Sequence, residues 1–124
     1  MTSVHLHFID NRRVPSASGE TLPVVDPSDG QVFAEIARGG AAEIDQAVAA
    51  ARRAAEGPWG RMPGVERGRI LARACALIQQ HADELMQLES RDCGKPLTQA
   101  RNDVTAVARY FEFYAGAADK VGGQ

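Results

Sequence analysis

The chain has 124 residues, which is enough for one domain or part of one. A net charge of −2, with 44% hydrophobic and 24% charged residues, is ordinary for a soluble globular protein and gives no basic field to attract nucleic acid. Two cysteines, Cys75 and Cys93, cannot form a disulfide framework, and no apolar run has the length of a signal-peptide core or a membrane span, so we expect a cytoplasmic protein.

The first 38 residues predict two short β-hairpins. Apolar and polar side chains alternate in the first segment, with Val4, Leu6 and Phe8 on one face, and Asp10 and Asn11 then supply turn chemistry. A second turn is predicted at residues 26–30. The predicted extended segments are Val4–Ile9, Arg12–Val14, Gly19–Val25 and Gln31–Ala37.

His5 and His7 share the other face of the first predicted strand, as the ligands of a metal site would. No third ligand lies nearby in the sequence. An outward polar face is therefore the preferred interpretation of this pair.

Residues 41–121 have helical periodicity and predict three helices. The first runs from Ala41 to a break at Gly57, the second from near Pro63 to Gly94, and the third from about Leu97 to Lys120. Two apolar stripes stand out: Ile44, Ala47, Val48, Ala51 and Ala55 on the first helix, and Val104, Val107, Ala108, Phe111 and Ala115 on the third. Either these stripes pack on one another or they require a larger body.

The segment between the second and third helices contains the residues with most chemical potential. Cys93 lies beside Arg91 and Lys95, and neighbouring cations favour a reactive thiolate. No histidine is close enough in sequence to act as a base, so nucleophilic catalysis by Cys93 is disfavoured. Asp92 is expected to cap the next segment, with an ion pair or ligation of a hard cation as alternatives. Cys75 is expected to be a buried small apolar residue.

Neither common nucleotide-binding fingerprint is present. The sequence around Lys95 lacks the G-x-x-x-x-G-K-[ST] phosphate loop, and there is no G-x-G-x-x-G after a strand. No residue is therefore assigned to cofactor binding or to catalysis.

Three sequence signatures occur in order along the chain. They are VVDPSDGQV at residues 24–32, EIDQAVAAA at 43–51 followed by Trp59, and LESRDCGKP at 88–96 combined with YAGAADK at 114–120. Together they resemble the N-terminal region of NAD(P)-dependent aldehyde dehydrogenases. The first is similar to that family's V-N-P-x-T-G-x-V hairpin, with Asp26 in place of the usual asparagine, and the second is similar to its D-V-D-x-A-V-x-A-A…W pattern.

The resemblance implies an α/β fold in which residues 1–124 form the N-terminal part of a cofactor-binding domain, with hairpins over 1–38 and helices over 41–121. It also implies an oxidoreductase, a homo-oligomer when complete, that oxidises an aldehyde to a carboxylic acid with NAD or NADP. The Rossmann core and the catalytic domain, with the reactive cysteine, would lie outside this chain. Cys93 does not match the catalytic motif, so the isolated chain is predicted to be inactive.

The family resemblance also assigns candidate site residues. A sodium or potassium ion would be held by the backbone carbonyls of Val24 and Val25 and by the carboxylate of Asp92, since oxygen ligands suit hard cations. Asn102 and Ala106, one turn apart on the third helix, would border the substrate tunnel.

A second hypothesis is a stand-alone α+β interaction module that keeps the enzyme's framework without its chemistry. Such a module would unfold cooperatively and be monodisperse. A segment of the enzyme would instead expose apolar surface where its helical stripes lack a partner.

Overall fold

The computed structural model describes residues 3–120, which divide into two compact units with the boundary between Arg61 and Met62. Within the described part, the first unit contains β1 (Ser3–His5), β2 (His7–Ile9), β3 (Arg12–Val14), β4 (Thr21–Val25), β5 (Val32–Ala37), α1 (Ala41–Glu56) and α2 (Pro58–Arg61). The second contains α3 (Gly64–Gln80), α4 (Ala82–Cys93) and α5 (Leu97–Ala117). Across residues 3–120, no helix is both long and apolar enough to cross a membrane.

The first predicted hairpin forms, but from only part of the predicted strand. β2 and β3 pair antiparallel through a turn in which Asp10 and Asn11 have φ values of 53° and 59°, the left-handed conformation of a tight hairpin turn. The prediction of one strand over Val4–Ile9 is wrong, because the chain changes partner at Leu6. β1 instead pairs parallel with β5, which a hairpin pattern does not predict.

The second predicted hairpin is confirmed. β4 and β5 pair antiparallel, and the three-stranded sheet has the order β1-β5-β4. The Asp26 N–H donates to the carbonyl of Gln31 at 2.8 Å, which closes the turn between the strands. Pro23 lies on β4, an edge strand, where a missing backbone donor is tolerated.

Side-chain exposure in β2 differs from the predicted pattern. Phe8 is exposed, whereas His7 and Ile9 are half-buried, so the expectation of an outward histidine face is wrong at His7. The His7 ring lies against Gly39, where an added Cβ would come within 3.2 Å of its Cε1 atom. Its Nε2 atom is buried without a hydrogen-bond partner among residues 3–120.

The second predicted helix is interrupted. His81 has φ −102° and ψ 19°, outside the helical range, and separates α3 from α4. The backbone ladder continues around it, since the His81 N–H donates to the Leu77 carbonyl at 3.0 Å and the His81 carbonyl accepts from Leu85 N–H at 3.0 Å. Because no glycine or proline marks this position, the sequence predicts one continuous helix. With the short α2, the described residues form five helices where three were predicted.

Small residues form the contact between α3 and α5 in the second unit. Ala100 and Ala108 on α5 are buried, and the Cys75 thiol donates to the Ala108 carbonyl at 3.3 Å, which confirms Cys75 as a buried small residue. At Gly68 on α3, an added Cβ would lie 2.6 Å from the Ala115 carbonyl oxygen. The two backbones therefore approach more closely than any side chain at Gly68 would allow.

The helical stripes differ in what covers them. On α5, Val104, Phe111 and Ala115 are at least partly buried, as predicted, whereas Val107 of the same predicted stripe is exposed. On α1, however, Ile44 and Val48 remain exposed. The periodicity of α1 therefore identifies an apolar face that the described residues do not cover.

Candidate functional site

The loop between α4 and α5 is held by local hydrogen bonds. Gly94 adopts a left-handed conformation (φ 72°, ψ 12°) that ends α4, and its N–H donates to the Ser90 carbonyl at 2.9 Å. The Ser90 hydroxyl donates to the carbonyl of Lys95 at 2.8 Å. Ser90 thus holds the backbone of this loop at two points, the N–H of Gly94 and the carbonyl of Lys95.

Lys95 connects this loop to both neighbouring helices. Its Nζ atom lies 2.8 Å from the Asp103 carboxylate on α5 and 2.6 Å from the Glu89 carboxylate on α4. The hydrogen bond to Asp103, followed by that to Glu89, raises the pKa of Lys95 well above its ordinary value of 10.5. The ammonium group therefore stays protonated at any physiological pH and keeps α4 and α5 tied to each other.

Cys93 does not have the surroundings of an activated nucleophile. Its thiol is exposed and donates to the backbone carbonyl of Glu89 at 2.9 Å. The ammonium of Lys95, which could have stabilised a thiolate, binds the carboxylates of Glu89 and Asp103 instead. That no residue of this segment is catalytic stays a prediction.

Asp92 is an exposed residue in the last turn of α4 and does not cap α5. The N-cap position of α5 is Pro96, and no side chain hydrogen-bonds to the helix start there. The preferred prediction of a capping role is therefore wrong, because Gly94 turns the chain away before α5 begins. Lys95 is engaged by Glu89 and Asp103, which also excludes it as the main partner of Asp92.

Val24 and Val25, the other predicted ion ligands, end strand β4 in the first unit, whereas Asp92 belongs to the second unit. The β4–β5 ladder is irregular between the two valines, where the register shifts. No cluster of three or more histidine, cysteine, aspartate or glutamate side chains suited to a metal occurs within residues 3–120. Ion binding by these three residues stays a prediction.

Asn102 and Ala106, the predicted tunnel residues, are both exposed on α5. They lie one turn apart on the side of the helix opposite Ala100 and Ala108, which pack inward. The structure thus places both residues on one accessible face, and their role at a tunnel stays a prediction.

Glu43 is a buried carboxylate whose structural role the sequence analysis missed. Only 6% of its surface is exposed, and it accepts the backbone N–H of Gly40 at 2.7 Å and that of Ala17 at 2.8 Å. These two bonds hold the pKa of Glu43 below its ordinary value of 4.5. A glutamate three residues after Gly40 at a helix start is a capping signal, so the local pattern could have identified it.

Comparison with known proteins identifies the family. The family model described as the aldehyde dehydrogenase family matches residues 14–124. The benzaldehyde dehydrogenase of Antirrhinum majus mitochondria is 46% identical over 118 residues, which cover 94% of this chain and 22% of that protein.

Two solved structures share the fold. A Burkholderia cenocepacia protein assigned as an aldehyde dehydrogenase is 58% identical, with a TM-score of 0.94, over 96% of this chain and 25% of its own. The NAD-dependent aldehyde dehydrogenase of Sinorhizobium meliloti is 36% identical, also with a TM-score of 0.94, over 100% of this chain and 25% of its own.

The chain therefore belongs to the aldehyde dehydrogenase family, and it spans between a fifth and a quarter of the length of these relatives. The resemblance read from the three sequence signatures is confirmed. The predicted α/β fold class is confirmed as well, because the structural neighbours are aldehyde dehydrogenases.

Proposed function

We propose that this chain is the N-terminal segment of an oxidoreductase that oxidises an aldehyde to a carboxylic acid with NAD or NADP. The observation that carries the proposal is the family match over residues 14–124. The segment supports the fold, and the reaction chemistry lies in the remaining part of the enzyme. The chain spans 22% of the Antirrhinum relative and 25% of the Burkholderia structure, which favours a segment over a stand-alone interaction module.

The environment of Cys93 supports the absence of reaction chemistry from this segment. Its thiol donates to a backbone carbonyl at 2.9 Å, and the nearest cation of the loop is bound to two carboxylates. A weak nucleophile in covalent catalysis is commonly activated by an adjacent base. The Glu89 carboxylate lies 3.8 Å from the Cys93 sulfur, but it is already paired with the Lys95 ammonium at 2.6 Å.

Within the complete enzyme, we place Asn102 and Ala106 at the border of the substrate tunnel. Both are exposed on one face of α5, and Asp103, the next residue along the chain from Asn102, is held by Lys95 at 2.8 Å. The ion pair restrains α5 at the level of this face. A tunnel wall that discriminates substrates by size requires such a fixed backbone.

A monovalent cation, Na⁺ or K⁺, belongs to the same proposal, with Val24, Val25 and Asp92 as its oxygen donors. All three would supply oxygen donors, which suit a hard cation. Asp92 is exposed and takes no part in capping α5, and the irregular ladder at the two valines is a place where carbonyls leave regular strand pairing. Replacing Asp92 by Asn in the complete enzyme should weaken the stabilisation by Na⁺ or K⁺ relative to a bulky organic cation.

The complete enzyme is further proposed to be a cytoplasmic homo-oligomer. Both cysteines are free thiols, which suits a reducing compartment. The mass of the native assembly, measured with an antibody against this segment, would test the oligomer, and cell fractionation would test its location.

The central experiment uses a chimera, in which this chain replaces the matched N-terminal quarter of the Burkholderia cenocepacia protein. The chimera should reduce NAD⁺ or NADP⁺ when an aldehyde is added, with the parent protein measured alongside. Cys93→Ala should leave that rate unchanged, and the isolated 124-residue chain should show no activity. Dehydrogenase activity in the isolated chain, or loss of the chimera's activity on Cys93→Ala, would overturn the proposal that this segment has a structural role only.

A further inference from the structure

A pocket of about 280 Å³ lies within the first unit, between the β2–β3 hairpin and α1. Three of its lining side chains are hydrogen-bond donors, namely Arg12 from β3 and Gln46 and Arg53 from α1. Gln46 and Arg53 are separated by two helical turns, so they lie on one face of α1. The pocket therefore gathers two guanidinium groups and one amide from two separate elements.

The chain itself leaves these donors largely without acceptors. Within residues 3–120, the side chains of Arg12 and Gln46 form no hydrogen bond or ion pair. Arg53 donates to the Asp10 carboxylate at 3.3 Å, and the two side chains are 63% and 62% exposed. Because an exposed ion pair of this kind contributes little to stability, Arg53 can take a second acceptor or exchange the first.

The charge and the lining of the pocket define the ligand that it fits. Two guanidiniums and the carboxylate of Asp10 leave one net positive charge (2 − 1). A monoanion neutralises this charge, whereas a dianion would leave an excess of negative charge. The other lining residues, Ile9, Val14 and Ala49, are apolar and suit a hydrocarbon group.

We propose that this pocket binds a small monocarboxylate with an apolar body, such as an aromatic acid. Arg12 and Arg53 bind the carboxylate oxygens, for which the planar guanidinium is well matched, and Gln46 donates to the same group. The volume is close to the lower end of the usual range for ligand sites, about 300–1,000 Å³, so a ligand of one ring is expected. All lining residues lie between Ile9 and Arg53, so the proposal does not depend on the proposed function.

Titration of benzoate into the nitrogen-15-labelled 124-residue chain, followed by two-dimensional amide NMR, tests the proposal. Amides of residues 9–14 and 46–53 should shift together and saturate, and those of α3, α4 and α5 should not shift. Arg12→Gln and Arg53→Gln should each raise Kd by about tenfold, because each removes a charge-assisted contact.

Arg13→Gln is the matched control. Arg13 follows Arg12 on β3, points to the opposite face of the strand and does not line the pocket. It removes the same charge from the hairpin, so Kd should change by less than about twofold, since charges outside the pocket are screened by salt. A chain that precipitates during the titration is replaced by the chimera. There, saturation transfer to benzoate should fall in Arg12→Gln and not in Arg13→Gln.

Two further probes separate the parts of the proposed ligand. Benzamide has the same ring without the charge, and inorganic phosphate has charge without the ring, so both should bind at least about tenfold more weakly than benzoate. Benzamide binding as tightly as benzoate would overturn recognition of the carboxylate, and phosphate binding as tightly would overturn the role of the apolar lining. Equal Kd values for Arg12→Gln and Arg13→Gln, or benzoate shifts confined to other residues, would overturn the site itself.

Discussion

The close approach of α3 to α5 at Gly68 makes a quantitative prediction for Gly68→Ala. The added Cβ would stand 2.6 Å from the Ala115 carbonyl oxygen and 3.4 Å from the Ala118 Cβ. To restore ordinary contact, the two helices must separate by about 0.8 Å, in a packed region with little spare volume. Overpacking of this kind costs about 1–3 kcal/mol.

Helix propensity opposes that cost. Replacing glycine by alanine inside a helix stabilises it by about 0.5–1 kcal/mol, so Gly68→Ala should be destabilising by about 1 kcal/mol in total. Gly116 on α5 is the matched control, because an added Cβ there meets no atom within 4 Å. Gly116→Ala should therefore be stabilising by about 0.5 kcal/mol. The two substitutions have the same chemistry and opposite expected signs.

Urea unfolding followed by far-ultraviolet circular dichroism measures both effects, and hydrogen exchange of α5 peptides localises them to the second unit. In a thermal melt, 1 kcal/mol corresponds to about 4–8 °C for a domain of this size. If Gly68→Ala raised the midpoint as Gly116→Ala does, the packing of α3 on α5 through Gly68 would be refuted.

Glu43→Gln should lower the free energy of unfolding at neutral pH and reduce the dependence of that free energy on pH in acid solution. A carboxylate whose pKa is held below 4.5 stabilises the fold above that pH, and this stabilisation is lost as the pH falls through the pKa of the folded state. Urea midpoints from neutral to acid pH check this, with the exposed Glu56→Gln as control, and an unchanged profile would contradict it. Lys95→Met should speed hydrogen exchange at the start of α5 more than Lys95→Arg does. Because the pKa of Lys95 is raised, its contribution is complete below 10.5 and is lost only in strongly alkaline solution; equal exchange in both variants would argue against the ion pairs. In the chimera, Ala106→Leu should raise KM for bulky aldehydes by about tenfold or more and leave KM for small aldehydes unchanged. The side chain of Thr105 is rotated by about 100° around the helix axis, so Thr105→Leu should not change KM for bulky aldehydes more than for small ones.

Local rules predicted the elements whose cause is local. The Asp10–Asn11 turn follows from residue types that tolerate positive φ, and the sequence places it correctly. The end of α4 at Gly94 follows from the same preference. The start of α5 at Leu97 follows from the proline before it. In each case the conformational preference of one or two residues decides the outcome.

Pairing between distant segments was not predictable in the same way. The parallel pairing of β1 with β5 joins Val4 to Glu35, and nothing in the alternation of residues 4–9 indicates a change of partner at Leu6. The interruption at His81 is similar, because the residue has no strong preference against a helix. Such features depend on tertiary contacts, which outweigh local propensity.

In the candidate site, too, some features follow from the local sequence and others from contacts between residues that are distant along the chain. The pattern G-x-x-E could have revealed the cap made by Glu43, whereas the two carboxylates that hold Lys95 lie six and eight residues away, on different helices. Proximity in sequence suggested that Lys95 would influence Cys93 or Asp92. Folding brings Asp103 to the ammonium instead, because Gly94 reverses the chain so that α5 runs back along α4.

Hydrophobic periodicity identifies which residues avoid water but not which part of the molecule shields them. On α5, a predicted stripe that includes Ala108 and Phe111 packs within the second unit, whereas Tyr110 and Phe113 on the same helix remain exposed. A helix with apolar side chains on two sides is typical of an element buried between two layers. One layer is supplied by α3 and α4, and the aldehyde dehydrogenase relatives, about four times longer than the matched segment, have the polypeptide to supply the other.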